Sequence, residues 1–473
     1  MDEPTTVAPR PGLVVGLSSL AVLAVFLDTT VLFVAFPDLV ADFSDVAPTS
    51  LSWVLNAYTI VFAALLVPAG RLVDRLGRKR TFLLGLVTFT VASVVCALAP
   101  NVPLLIVARA AQAAGGSLLI PGSLALVLAA VPRERLPVAV AVWGAAGAFA
   151  GAVGPTLGAA IVELGGWRWV FVINLPIGVA TWVAGRRVFA ESTELTDDRV
   201  GTPLGVLLIM APAALISLGV VQSETWGWTD ARTVAALVGG ALLLAAFVAH
   251  QQRSAAPVLD LSLFASVDFR WANAATIAFG VAFSAMFLSS VLFLTEVWGW
   301  STLKAGLAIT PGPALVVVLA RPVGQLAARI GQRPLLLTGG VLFAIGGLWR
   351  WLLLDATPDY VGDYLPSMLF TGLGVVCCLP QLSSVAAQSL PPHRFGVGSS
   401  VNQAVRQLGQ TFGVALVIGF VSGVVSLDEA LAAFDRVWVL LIVGGLATSL
   451  LSLPITPRAR RAGAVAPAPA AGH

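Results

Sequence analysis

The chain has 473 residues, of which 58% are apolar and 11% charged, with a mean hydropathy of +0.92 and a formal net charge of +3. Soluble domains use roughly 45–50% apolar residues, so a soluble enzyme is excluded, and so small a positive balance gives no reason to expect a nucleic-acid partner. Three cysteines (Cys96, Cys377, Cys378) lie in apolar stretches, and three histidines lie at loop edges or the C-terminus; they form no metal, disulfide or His-based catalytic pattern, so neither a cofactor nor enzymatic activity is expected.

A bilayer crossing needs about 20 apolar residues. Fourteen such windows follow one another, at 13–36, 50–69, 81–99, 104–130, 137–163, 169–187, 202–222, 232–250, 270–294, 303–323, 335–354, 364–387, 396–424 and 433–454. They predict an all-α, polytopic protein in a lipid bilayer. The first window is not a cleaved signal peptide, because it is too long, follows Asp2 and Glu3 and contains Asp28. With the N-terminus inside, twenty of the twenty-seven Lys and Arg residues fall on the cytoplasmic side, and only Arg168, Arg232, Lys304 and Arg436 fall outside. That asymmetry is the positive-inside pattern. Ten of the thirteen tryptophans map near the outer interface, as an aromatic belt would. Both termini are therefore expected in the cytoplasm.

Charges inside the hydrocarbon are costly and read first as functional. In the first window stands Asp28, flanked by Phe26 and Phe33; the second carries Asn56 and Tyr58 as candidate cavity contacts. The connector "GRLVDRLGRKR" (70–80) follows, with five basic residues around the single acid Asp74 and spaced glycines Gly70 and Gly77. Part of its charge is a topology signal. Asp74, at the membrane edge, can pair with neighbouring arginines or cap a helix N-terminus. The fourth window holds Arg109 and, one turn on, Gln112, a further candidate for the cavity lining. Counting about 1.5 Å per residue gives Asp28 and Arg109 similar depths. They are expected to interact, either as a static buried pair or with Asp28 as a proton carrier whose affinity changes as the arginine moves.

The fifth window spaces Gly147, Gly151, Gly154 and Gly158 three or four apart, giving one small-residue face, and Pro155 kinks it. In the second half of the chain, Phe283 and Phe287 are candidate cavity lining beside Phe26 and Phe33, and Glu296, another cavity candidate, is either a second titratable site or, as favoured here, a residue of the cavity rim. Arg350, between Trp349 and Trp351, reads as snorkelling to the interface. The stretch "VNQAVRQLGQ" puts Asn402, Arg406 and Gln410 at four-residue spacing near mid-membrane, as a polar stripe that lines the cavity or joins helices.

The chain also repeats itself. A shift of 254 lays Gly70, Leu72, Arg75 and Gly77 on Gly324, Leu326, Arg329 and Gly331, with Ala328 where the acid would be. A shift of 259 lays Pro121 on Pro380 and Arg135 on Arg394. Two six-span bundles, 1–190 and 263–473, are thus expected, with two inserted spans at 191–262. A parallel repeat of this kind is a transporter architecture with the substrate site between the halves.

The sequence resembles the major facilitator superfamily, in its fourteen-span drug:proton antiporter branch. The resemblance covers nearly the whole chain. It rests on "GRLVDRLGRKR", "LDTTVLFVAFPDLV" (27–40), "ARAAQAAGGSLLIPG" (108–122), "GAFAGAVGPTLGAAI" (147–161) and "WRWVFVINLPIG" (167–178); Ala113 and Ala159 depart from the family's glycines. It implies that Gly70, Asp74, Arg75, Gly77 and Arg78 form a cytoplasmic gating latch against the other half. It also implies that Gly147 to Gly158 form the antiporter element, which seals the cavity against leak. The expected function is proton-coupled export of hydrophobic, cationic or neutral small molecules across a bacterial inner membrane, by a monomer. A dedicated exporter of one endogenous metabolite and an uptake symporter stand as alternatives. No phosphate-binding G-x-x-x-x-G-K-[ST] loop occurs, so ATP drive is not expected.

Overall fold

A computed structural model of the protein describes residues 11–132, 135–193, 202–391 and 394–456, the side chains of Asp74, Pro137, Ala141, Ala148, Glu224 and Phe395 and the exposure of Gly396 excepted. Arg10, Arg133, Arg199, His393, Arg458, Arg460, Arg461 and His473 lie outside the described residues. Fourteen helices among the described residues are long and apolar enough to cross a membrane, including both of the pair expected at 202–250. In chain order they are α1 (Pro11–Asp42), α2 (Trp53–Leu76), α3 (Arg78–Leu98), α4 (Val102–Ala130), α5 (Leu136–Gly165), α6 (Asn174–Val188, which spans together with the turn Trp169–Val172 before it), α7 (Pro203–Trp226), α8 (Ala231–Arg253), α9 (Val267–Leu292), α10 (Pro311–Ile330), α11 (Gln332–Leu353), α12 (Leu365–Gln388), α13 (Phe395–Val421) and α14 (Leu427–Ser452). A short helix, Thr302–Ile309, leads into α10.

Local chemistry sets the helix ends. Asn101 and Asp230 cap α4 and α8 with side-chain oxygens that accept from Leu104 and Arg232 backbone N–H groups. Gly77 and Gly331 stop α2 and α10 with φ of +104° and +85°, a region where a Cβ is strained. These two glycines occupy matching places in the repeat, so one backbone device is used twice.

Packing shows the same duplication. In the first bundle α1 lies against α4, α5 and α6, while α3 and α4 pack together and α2 rests on α4. In the second, α9 lies against α12, α13 and α14, α11 and α12 pack together, and α10 rests on α12. The inserted helices α7 and α8 pair with each other, and α7 also touches α2 and α13, along the seam between the bundles. There a Cβ on Gly419 would come within 2.9 Å of the Val220 carbonyl.

The bundles meet chiefly toward one end, the end rich in tryptophan. Thr302 Oγ1 donates to Asp38 Oδ2 at 2.9 Å, the Thr156 and Thr310 hydroxyls are hydrogen-bonded, and the Phe33 and Phe287 rings lie 5.7 Å apart. Deeper in, the Thr59 and Thr411 hydroxyls join α2 to α13 at 2.6 Å. Toward the opposite, arginine-rich end, a Cβ on Gly144 of α5 or Gly324 of α10 would meet nothing within 4 Å. Much of the last half of α10 is exposed there. The bundles are therefore closed at the tryptophan end and splayed at the basic end.

Candidate functional site

Asp28 lies mid-way along α1, and five helices converge on it. Arg109 Nη1 donates to Asp28 Oδ2 at 2.5 Å and to Gln112 Oε1 at 2.5 Å; its Nε donates to the Val54 carbonyl at 3.2 Å. Asp28 Oδ1 accepts from Gln112 Nε2 at 2.7 Å and Asn174 Nδ2 at 2.9 Å. Ser93 Oγ completes the shell by accepting from Gln112 Nε2 at 2.8 Å. The guanidinium sits over the Tyr58 ring, 4.1 Å from its centroid. The side chains of Asp28 and Arg109 are each 1% exposed. Two charges can be held out of water only when geometry and hydrogen bonding offset their desolvation, and here both carboxylate oxygens are bonded.

Gln112 thus belongs to this network and not to an open cavity wall. Tyr58 is fully buried and stacks on Phe62 at 5.8 Å. Asn56 is also fully buried, and its side-chain amide has no hydrogen-bond partner among the described residues.

The glycines of α5 let α1 lie close. A Cβ on Gly147 would come 3.1 Å from the Phe26 ring, one on Gly154 would collide with Thr30, and one on Gly158 would come 2.9 Å from Val31 Cγ1. Gly151 differs: a Cβ there would meet nothing within 4 Å, so it is not part of the packed contact. The neighbouring face of α5 meets the helix Thr302–Ile309. There Gly306 fits against the Ala159 methyl, and its Cβ would come 2.8 Å from the Pro155 carbonyl. The alanine that replaces a family glycine on α5 is accommodated by a glycine on the facing helix.

The loop between α2 and α3 is held by the connectors that flank the inserted α7–α8 pair. Glu191 Oε1 and Oε2 accept from the Lys79 and Arg80 backbone N–H groups, each at 3.1 Å, and Arg78 N–H donates to the Ser192 carbonyl at 3.0 Å. The carboxylate therefore caps the positive N-terminus of α3. Arg71 Nη1 donates to the Pro257 carbonyl at 2.5 Å, so the connectors on both sides of the α7–α8 pair are tied to this loop. Gly70 is in ordinary contact with Pro121 and Arg75 is exposed. The expected latch through Asp74 falls on a side chain outside the described residues. In the second copy the corresponding tie is neutral, Gln332 Nε2 to Gln388 Oε1 at 3.3 Å.

In the second bundle the expected polar stripe divides. Asn402 is 1% exposed; it donates to Asn273 Oδ1 at 3.2 Å and Thr276 Oγ1 at 2.8 Å, and it accepts from Ser383 Oγ at 3.2 Å. It joins α13 to α9 and α12. Arg406 is half-buried; one of its terminal nitrogens donates to Gln403 Oε1, while its Nε is buried with no partner among the described residues. Gln410 is buried at the edge of the same face. Glu296 is exposed near the tryptophan end, in a wide turn, Phe293–Val297, that extends α9.

Arg350 corrects the expectation of snorkelling. It is fully buried, donating through Nε to Ser367 Oγ at 3.1 Å, Nη1 to Ser290 Oγ at 3.0 Å and Nη2 to Met368 Sδ at 2.9 Å. The rings of Trp438 and Tyr364 lie 5.1 and 5.2 Å from its guanidinium carbon. Neutral acceptors and ring faces satisfy the cation inside, so it has no need of the interface.

Sequence reasoning missed Ser93, Asn174 and Glu191. Asn174 had a signal, since it lies inside "WRWVFVINLPIG"; Ser93 and Glu191 carried none.

The family model of the Major Facilitator Superfamily matches residues 18–414. The multidrug resistance protein Stp of Mycobacterium tuberculosis is 33% identical over 400 residues, 84% of this chain and 74% of its own length. The cephamycin export protein CmcT of Amycolatopsis lactamdurans is 34% identical over 400 residues, 83% of this chain and 82% of its own. The crystal structure of a bacterial homologue of the human lysosomal transporter Spinster, inward-facing and unoccupied, superimposes with a TM-score of 0.65 at 16% identity, over 94% of this chain and 98% of that one. At that identity the likeness is one of fold.

Proposed function

This chain belongs to the major facilitator superfamily, and from that premise we propose that it is a proton-coupled antiporter exporting hydrophobic small molecules, drugs and antibiotics among them, across a bacterial cytoplasmic membrane. Export is supported by its similarity to multidrug resistance and antibiotic export proteins. Proton coupling rests on one observation, the Asp28–Arg109 pair shut inside the first bundle. In this state Arg109 holds Asp28 in a direct ion pair. A motion that draws them apart leaves an unpaired buried carboxylate, which takes up a proton.

The working parts are the bundles 1–190 and 263–473, with 191–262 between them, acting as a monomer. With the basic end and both termini in the cytoplasm, the splayed side faces inward, the state that would load substrate from the cytoplasm. Rocking about the Thr59–Thr411 contact then opens the tryptophan end. A second reading, a dedicated exporter of one endogenous metabolite, is favoured by the similarity to CmcT at 34% identity.

The test is efflux from cells overproducing the protein, with and without a protonophore, beside Asp28→Asn. Gradient-driven efflux is expected to fall at least about tenfold in the variant, the scale on which loss of a proton-transferring group acts. Full efflux by Asp28→Asn sinks the carrier role, and efflux that survives the protonophore sinks the coupling.

A further inference from the structure

We infer that the exported molecules carry an acidic group, and that Arg406 is the residue that seats it; this rests on the exporter reading above. A guanidinium at mid-bilayer is retained only where something balances it. Four arginines lie well inside the spanning helices, and three are accounted for: Arg109 is neutralised by Asp28, Arg350 is enclosed by hydroxyls, a thioether and rings, and Arg321 is exposed on the last half of α10 and so keeps its charge out of the packed interior. Arg406 forms no ion pair among the described residues; a single amide accepts from it, and its Nε is left over. Asp28 cannot serve Arg406, because both its oxygens are already bonded and its side chain is 1% exposed.

The surroundings fit an amphipathic organic anion. On α13 the side of Ala404 and Thr411 faces α2, and Asn402 and Gly409 face α9. Helical spacing turns Gln403, Arg406 and Gln410 away from α2, toward the splayed space between the bundles. They form a patch of amide donors and acceptors around one fixed positive fork, which matches a carboxylate, sulfonate or phosphate bidentately. Alongside runs an aromatic ladder on α9, with Phe279–Phe283 and Phe283–Phe287 centroids 6.3 and 6.1 Å apart. It stands at the same level, because Ser284 Oγ donates to the Gln410 carbonyl at 2.9 Å and a Cβ on Gly280 would come 2.9 Å from the Arg406 carbonyl. Phe283, the half-buried ring of the three, offers a surface for the apolar body of the substrate while Arg406 takes its charge.

The experiment uses two dyes of one shape and opposite charge, fluorescein and rhodamine 6G, with purified full-length protein in detergent and fluorescence anisotropy as the readout. Wild type is expected to bind fluorescein more tightly than rhodamine 6G. Arg406→Gln shifts the ratio of the two affinities by about tenfold or more toward rhodamine 6G, as loss of a desolvated charge contact does. Arg406→Lys, which keeps the charge and loses the fork, shifts it less. Because the readout is a ratio within one preparation, partial unfolding does not imitate it. A ratio unchanged in Arg406→Gln, or a wild type that prefers rhodamine 6G, overturns the proposal. Arg406-dependent fluorescein binding without gradient-driven transport in proteoliposomes upholds the anion site and overturns the exporter reading instead.

Discussion

The two bundles bury an arginine in opposite ways. Arg109 in the first is matched by a carboxylate and wrapped in amides, whereas Arg350 in the second is surrounded by neutral dipoles and ring faces. Among the described residues, the deeply buried acid therefore sits on one side of the molecule. The second bundle contributes a fixed positive charge, Arg406, on the face turned to the space between them. The duplicated helix packing carries two chemistries, and in the mechanism proposed above the proton site and the substrate site lie on opposite sides of the seam between the bundles.

The sharpest way to break this contrast is to replace each buried arginine by methionine. Arg109→Met strands the Asp28 carboxylate and is expected to destabilise the protein by about 3–5 kcal/mol, read as thermal unfolding in detergent. A change under about 1 kcal/mol means that the pair is not what holds this part of the bundle together. Arg350→Met orphans no charge. It is expected to change stability by no more than about 2 kcal/mol in either direction, with export retained in the same efflux assay.

A smaller effect sharpens the contrast between the two ends. Gly306→Val pushes a branched side chain against Ala159 and Pro155, where the bundles touch. Overpacking of about 1–3 kcal/mol falls on this conformation alone. With Gly324→Cys as a reporter at the splayed end, labelling by a maleimide is expected to slow as the population shifts. The smallest effect concerns the loop. Glu191→Gln removes the anion at the start of α3 and is expected to cost about 0.5–1 kcal/mol, with gradient-driven efflux still present.

Much of the molecule was legible in its sequence. Runs of apolar residues are a local signal, and all fourteen marked helices that span; matching glycines marked the repeat, and Gly77 and Gly331 share the same left-handed backbone. Asp28 and Arg109 stood out because charge is rare in hydrocarbon. What the sequence could not reveal was rotation. In a helix whose core-facing and lipid-facing sides are both apolar, periodicity does not say which side is inward, so the direction of each polar side chain was undetermined. Tertiary packing alone decided that Arg350 turns inward onto Ser290 and Ser367, that Asn402 spends its amide on α9, and that Gly306 makes room for Ala159. The sequence by itself determined how often the chain crosses the bilayer and which charges are out of place there. Only the assembled bundles decided which of those charges is neutralised, which is enclosed and which faces the space between them, because partners such as Asn174 and Asp28 are far apart in the chain and meet only once the helices pack.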